Sequence, residues 1–189
     1  MINELYHHGI LGMKWGVRRY QNKDGTLTAE GKKRSYYRRR VNRELNYVDD
    51  VNSIVNTLSK DEKRKLGNSD YDEWIEKEYA AETVSNIAKT FIQKHGDKPV
   101  AMLEIWDDGK EGVGQIAIAT DPNYRGTGVT SKNINEAIKW FNSKKNTKLK
   151  ELQWNYLLTN PKSGQIAEKH GFGDYSDDGT WGYRKMFKR

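Results

Sequence analysis

The sequence predicts an α/β fold: a mixed, mostly antiparallel central sheet flanked by helices, preceded by a basic helical arm. Three observations predict it. Apolar residues keep helical spacing before about residue 84 and change to strand-like runs after it. Three such runs then follow one another through short turns, the pattern of an antiparallel meander. From there to the C-terminus, helices and strands alternate.

Residues 1–27 read as an irregular segment, because Gly9, Gly12, Gly16 and Gly25 interrupt any helix. Residues 28–83 read as a helical, basic arm leading into the domain. Thr28 is placed to cap a helix from Ala29 to Leu45. Val48, Val51, Ile54, Val55 and Leu58 then form one apolar helical face. Ser59-Lys60-Asp61-Glu62 matches a capping box and opens a short helix, ended by Gly67-Asn68-Ser69. A further helix is expected from Tyr71 toward Ala81, with Trp74 and Ile75 on its buried side.

Residues 84–189 read as one domain. Ile87–Lys94 reads as a strand or as the end of the preceding helix; the turn His95-Gly96-Asp97-Lys98 and the clear strand Pro99–Trp106 after it favour a strand, and Val113–Thr120 completes the meander. A helix is expected from about Ser131 to Ser143, with Ile134, Ala137, Ile138 and Phe141 inward. Leu152–Leu158 is a strand, Pro161–His170 a helix stopped at Gly171, and Trp181–Phe187 a last strand.

The absence of Cys excludes a disulfide framework, a thiolate metal site and a Cys nucleophile. With only four His and no suitable cluster, no metal is expected. No signal peptide and no membrane-spanning run is recognisable, so a soluble protein is expected, without a membrane partner. Residues 1–45 hold 11 Lys/Arg against 4 Asp/Glu, so the whole net charge of +7 lies there and the remainder is neutral. Arg38-Arg39-Arg40 and Arg43, beside Tyr36 and Tyr37, could contact nucleic-acid phosphates, although solvated charge is the commoner role of such a helix.

The chemistry concentrates where a strand meets a helix through Asp121-Pro122-Asn123-Tyr124-Arg125-Gly126-Thr127-Gly128-Val129-Thr130. A helix N-terminus offers unpaired N–H groups and a positive dipole end. Gly126 and Gly128 let the backbone approach an anion, and Arg125 adds charge, so the turn could cradle a pyrophosphate. It has neither Walker nor G-x-G-x-x-G spacing. A tight turn without ligand is an equally good reading of the local pattern alone.

Ile118 to Val129 resembles the first motif of the GNAT acetyltransferases, L-x-V-x-P-x-Y-R-G-x-G-[IV]-[GA]. Asn160-Pro161-Lys162-Ser163 followed by Ile166-Ala167-Glu168-Lys169-His170-Gly171-Phe172 resembles their second, N-x-x-A-x-x-L-Y-E-K-x-G-F. The two stand in the right order with a helix and a strand between them, and the resemblance covers roughly residues 84–189. It implies acetyl-CoA as cofactor and an amine as acceptor. By the same resemblance, backbone groups of Ile118, Ala119 and Thr120 would pair with pantetheine. Amides of Arg125, Gly126, Thr127, Gly128, Val129 and Thr130 would hold the pyrophosphate. Asn160 and Ser163 would sit beside the pantetheine arm.

Some positions depart from the family pattern. Ala167 stands where the second motif usually has a Tyr that protonates the thiolate; Tyr175 is the catalytic candidate near it, with Tyr183 also close in sequence. The start of the central strand reads Gly114-Gln115-Ile116, without the usual carboxylate. Glu104 and Glu111 are candidate bases acting through a water, against the plainer reading that both are surface charges.

The N-terminal His7-His8-Gly9-Ile10-Leu11-Gly12-Met13-Lys14-Trp15-Gly16-Val17-Arg18-Arg19-Tyr20 mixes apolar and basic residues and suits docking on a partner or on nucleic acid, its aromatic residues arguing against a plain disordered tail. It resembles a motif at the start of head-morphogenesis proteins of tailed bacteriophages. That resemblance implies a phage-encoded protein in the host bacterial cytoplasm, associated with the virion through phage head proteins. Three functions are therefore expected in competition: an N-acetyltransferase, a non-catalytic interaction module of the same fold, and a nucleic-acid-associated morphogenesis protein.

Overall fold

The structure, a computed structural model, describes residues 20–22, 24–66, 73–107, 109 and 112–189. The N-terminal motif up to Arg19, the expected stop at Gly67-Asn68-Ser69, and Glu111 lie outside the described residues. The chain divides into two compact units, Met1–Arg40 and Val41–Arg189. Among the described residues no helix is long and apolar enough to cross a membrane, and no three His, Asp or Glu gather as metal ligands.

In the first unit a turn brings Gln21 and Leu27 into a single antiparallel bridge. Helix α1 (Ala29–Leu45) begins there. Thr28 Oγ1 accepts from the Gly31 N–H at 3.1 Å, the cap expected from the sequence. Arg34 donates to the Tyr20 hydroxyl at 2.8 Å. Tyr36 and Tyr37 are exposed among the arginines.

The second unit is built on a six-stranded sheet of order β1-β2-β3-β4-β6-β5. The strands are β1 (Ile87–His95), β2 (Lys98–Asp107), β3 (Val113–Thr120), β4 (Glu151–Leu157), β5 (Asp174–Asp177) and β6 (Trp181–Phe187). Every neighbouring pair is antiparallel except β3 and β4, which are parallel. This is the mixed, mostly antiparallel sheet expected from the sequence. Helices α5 (Val129–Phe141) and α6 (Pro161–Lys169) enclose one apolar cluster with Leu103, Ile105, Leu152 and Phe172. Helix α2 (Val48–Val55) contributes Val48, Val51, Ile54 and Val55 to a second cluster with Ile75, Ile87, Met102 and Ala119. Alternate residues of β2 enter the two clusters, so the sheet is covered on both faces. The helical segment from Val41 onward therefore shares the domain's core, although the sequence reading began the domain at residue 84.

Helix α3 (Lys60–Leu66) starts with the expected capping box. Ser59 N–H donates to Glu62 Oε2 at 2.9 Å, and Glu62 N–H to Ser59 Oγ at 3.3 Å. The helix expected from Tyr71 toward Ala81 does not form over its described part. Trp74 and Ile75 lie in bends, and helical turns begin only at Lys77, leading into α4 (Ala80–Thr83). Buried Asn52 is the reason. Its side chain accepts from Ile75 N–H at 2.9 Å and donates to Ile75 C=O at 2.8 Å, taking the groups a helix would use.

Tyr156 leans over β6 beneath α6, and two glycines make room for its ring. A Cβ at Gly182 would lie 2.6 Å from Tyr156 Cζ, and one at Gly164 would overlap the same ring. Gly182→Ala is therefore expected to destabilise the fold by roughly 1–3 kcal/mol through overpacking. Urea denaturation of the variant against the parent measures this, and an unchanged midpoint would show that the ring yields freely.

Candidate functional site

The parallel pair β3–β4 holds for three residues only: Val113 with Glu151, Gly114 with Leu152, Gln115 with Gln153. Beyond Gln115 the two strands pair only with their outer neighbours. Ile116 to Thr120 remain on β2, and Trp154 to Leu157 remain on β6. The sheet thus opens into a wedge whose β3 side carries backbone groups without a strand partner. Such groups need water or a ligand. The wedge is part of a cleft of about 1400 Å³.

At the end of β3 the chain turns into α5. Asp121, buried, accepts from Asn123 N–H at 3.0 Å and from Lys98 Nζ at 2.7 Å. The Lys98 ammonium holds its carboxyl below the usual carboxylate range. Gly126 and Gly128 have φ of +79° and +88°, the left-handed region where a side chain is strained. A Cβ at either would meet nothing within 4 Å, so both face open space rather than packed protein. Gly128 is the N-cap of α5 and offers no side-chain cap to the first-turn amides. These observations fit a phosphate-bearing ligand: a cradle with no side chain in it, at an uncapped helix N-terminus.

Most of the residues named from the sequence come together here. Ile118, Ala119, Thr120, Arg125, Gly126, Gly128, Thr130, Asn160 and Ser163 all line the cleft. Thr120 Oγ1 and Thr130 Oγ1 are 2.7 Å apart and tie β3 to the first turn of α5. Ser163 Oγ accepts from Trp154 Nε1 at 3.0 Å. Arg125 forms a 2.6 Å ion pair with Glu62 of α3. Thr127 and Val129 are outside the lining; the Thr127 hydroxyl instead donates to the Tyr124 carbonyl at 2.6 Å.

The catalytic candidates do not gather in the same way. Glu104 is fully buried, so the surface-charge reading does not hold for it. Its Oε2 accepts from Trp74 Nε1 at 2.9 Å and from Trp106 Nε1 at 3.0 Å, and its Oε1 has no partner. Both indoles line the cleft and Glu104 does not. Burial pushes its pKa up to about 7, helped by the nearby Glu44 charge and opposed by the two indole hydrogen bonds. Tyr175 stands on the exposed edge strand β5, donates its hydroxyl to Asp177 at 2.8 Å, and is not among the cleft residues. Ala167 is wholly buried in the core cluster under α6. Glu111 lies outside the described residues.

The sequence reading did not single out several lining residues. His170, at the end of α6, lies 3.3 Å from Ser131 Oγ. Burial, then the neighbouring Lys169 charge, lowers its pKa. Trp106, Tyr79 and Asn155 also line the cleft.

Residues 52–172, more than half of the chain, match the model of the acetyltransferase (GNAT) family. The chain belongs to the GNAT family. Acetyl-CoA, the cofactor expected from the motifs, accords with that membership. The family match reaches back to residue 52, into the helices that share the core. Residues 1–22 match a family of unknown function (DUF7211). A search of curated proteins gives no match.

Among solved structures, smu.2055 from Streptococcus mutans UA159 is similar with a TM-score of 0.57 and 13% identity, over 76% of this chain and 94% of that one. Spermidine N-acetyltransferase from Vibrio cholerae, in complex with CoA and spermine, is similar with a TM-score of 0.55 and 14% identity, over 77% and 90%. Mutant forms of the spermidine/spermine N-acetyltransferase from Vibrio cholerae match over 52% of this chain and 63% of theirs, with a TM-score of 0.44 and 16% identity. At these identities the likeness is one of fold.

Proposed function

We propose that this GNAT protein is an N-acetyltransferase that transfers the acetyl group of acetyl-CoA to an amine. The carrying observation is the wedge between β3 and β4, which leads directly to an uncapped helix N-terminus with two open glycines. Acetyl-CoA supplies the acetyl group as a reactive thioester. Amides from Arg125 to Thr130 hold the pyrophosphate, and the bare edge of β3 at Ile118, Ala119 and Thr120 aligns the pantetheine amides. Asn160 and Ser163 flank that arm, while Lys162 and Lys169 add positive charge on the same side of the cleft. The acceptor must lose a proton before its nitrogen attacks, and the departing sulfur must gain one. Glu104 lies behind two indoles and is poorly placed to take that proton. Glu111, just ahead of β3, is the carboxylate to test, with Glu111→Gln expected to lower kcat more than it raises KM.

Thiol release from acetyl-CoA, followed with a panel of amines, tests the reading. Turnover well above that of a Gly126→Glu, Gly128→Glu variant is the expected result. Acetyl-CoA bound but never consumed would favour a non-catalytic module of this fold, the reading that buried Ala167 supports.

The N-terminal motif supports a phage-encoded protein that acts in the host bacterial cytoplasm and associates with the virion through head proteins. Removing residues 1–19 should then abolish co-purification with particles and leave acetyl transfer intact. The exposed arginines and tyrosines of α1 support nucleic acid as a further partner; a flat response of binding to salt would exclude it.

A further inference from the structure

We propose that the acceptor end of the cleft selects an amine carrying a second positive charge. This rests on the acetyl-transfer reading and names the substrate class of the same site.

The cleft lining is divided by charge and by origin. On the α6 side of the sheet the charged lining residues are Lys162 and Lys169, which suits the phosphates of a nucleotide cofactor. The opposite face is built by the segment before α4 and the end of β2. There the charged lining residues are Glu73 and Glu76. Glu62 and Lys65 of α3 also reach the cleft, but Glu62 is held by Arg125. Asp107, which also lines the cleft, shares the face of Ile105 and is paired with Lys148; Glu73 lies 3.9 Å from Lys77. Glu76 is half-buried; its backbone carbonyl accepts from Tyr79 N–H at 3.1 Å, and its carboxylate makes no hydrogen bond or ion pair among the described residues. A half-buried carboxylate without a partner, in a cleft, is matched best by a cation from outside.

Three aromatic rings stand among these carboxylates: Trp74, Tyr79 and Trp106. Trp74 and Trp106 meet edge to face at 6.1 Å. Both indole N–H groups are drawn onto the buried Glu104 carboxyl, which fixes the rings and enriches their π systems in electron density. Electron-rich rings beside carboxylates favour ammonium groups over neutral alkyl groups.

A second, independent observation also points to a ligand that brings N–H donors. Asn155, on β4 where the sheet opens, lines the cleft, and its buried amide oxygen has no hydrogen-bond partner. An alkyl chain leaves that oxygen unpaired, whereas an ammonium or amine satisfies it. The acceptor nitrogen and a distal ammonium on the same molecule would use both features.

The test is a titration of two isosteric amines into the full-length protein saturated with CoA. Cadaverine carries a second ammonium where n-hexylamine ends in a methyl group. Cadaverine is expected to bind at least about 30-fold more tightly, with the preference falling roughly tenfold in a Glu73→Gln, Glu76→Gln variant. Equal affinities, tighter binding of n-hexylamine, or a preference unmoved by the variant would overturn the proposal. CoA titrated alone separates the two readings. If CoA does not bind, the acetyl-transfer reading fails, and the amine titration without CoA still decides whether the cleft selects a dication.

Discussion

Replacing Gly126 and Gly128 together with glutamate is expected to abolish the stabilisation that acetyl-CoA gives the protein. Both positions have positive φ, so each new side chain carries a strain of about 1–2 kcal/mol. Both face open space, so the added carboxylates meet the ligand and not the protein core. Two negative charges then stand at the helix N-terminus proposed to hold the pyrophosphate, reversing the favourable sign of that site. The affinity loss should exceed about 100-fold, or roughly 3 kcal/mol. A thermal-shift titration checks it. The parent melting temperature should rise with acetyl-CoA, and that of the double variant should not. A double variant that keeps the shift would move the cofactor away from this turn.

The second large effect concerns stability and pH. Glu104 has its pKa raised to about 7 in the folded protein, from a reference of 4.5. Below the unfolded value both states are protonated, and the group contributes no pH dependence. Between about 4.5 and 7 the unfolded chain releases the proton that the folded chain retains. Stability therefore falls as pH rises through this window and levels off above it, by roughly 3 kcal/mol in all. Glu104→Gln should remove this slope. Its amide oxygen can still accept from both indoles, and its NH₂ group replaces an oxygen that has no donor. Glu44 Oε2 and Thr90 Oγ1 are further buried atoms without partners, and Thr90 is the cross-strand neighbour of Glu104. Urea unfolding at pH 4.5 and pH 8 tests the point. The variant should be the more stable of the two proteins at pH 8, with little difference at pH 4.5. The other carboxylates cancel in that comparison. Parallel pH profiles for the two proteins would show that Glu104 ionises freely.

Legibility in the sequence tracked how local the causes were. The turn from Asp121 to Thr130 was readable because it needs only near neighbours: a strand, two glycines and a helix start. The capping box at Ser59 and the cap at Thr28 were readable for the same reason. Strand β5 was missed because all four of its residues are exposed, so it carries no apolar alternation. The Trp74–Ile75 bend was missed because it is set by Asn52, more than twenty residues away in the chain. Glu104 was misread for a related reason. A carboxylate between Leu103 and Ile105 suggests a strand with one solvated face, but helices cover both faces of β2. The opening of the wedge past Gln115 depends on the divergence of β3 and β4, which no local pattern records.

Isothermal titration of the purified protein with acetyl-CoA asks whether the turn at Gly126 and Gly128 holds the cofactor. Saturable one-to-one binding that is lost in the Gly126→Glu, Gly128→Glu variant is the expected result. Absence of any binding by the parent protein would contradict it, leaving the GNAT fold without its cofactor.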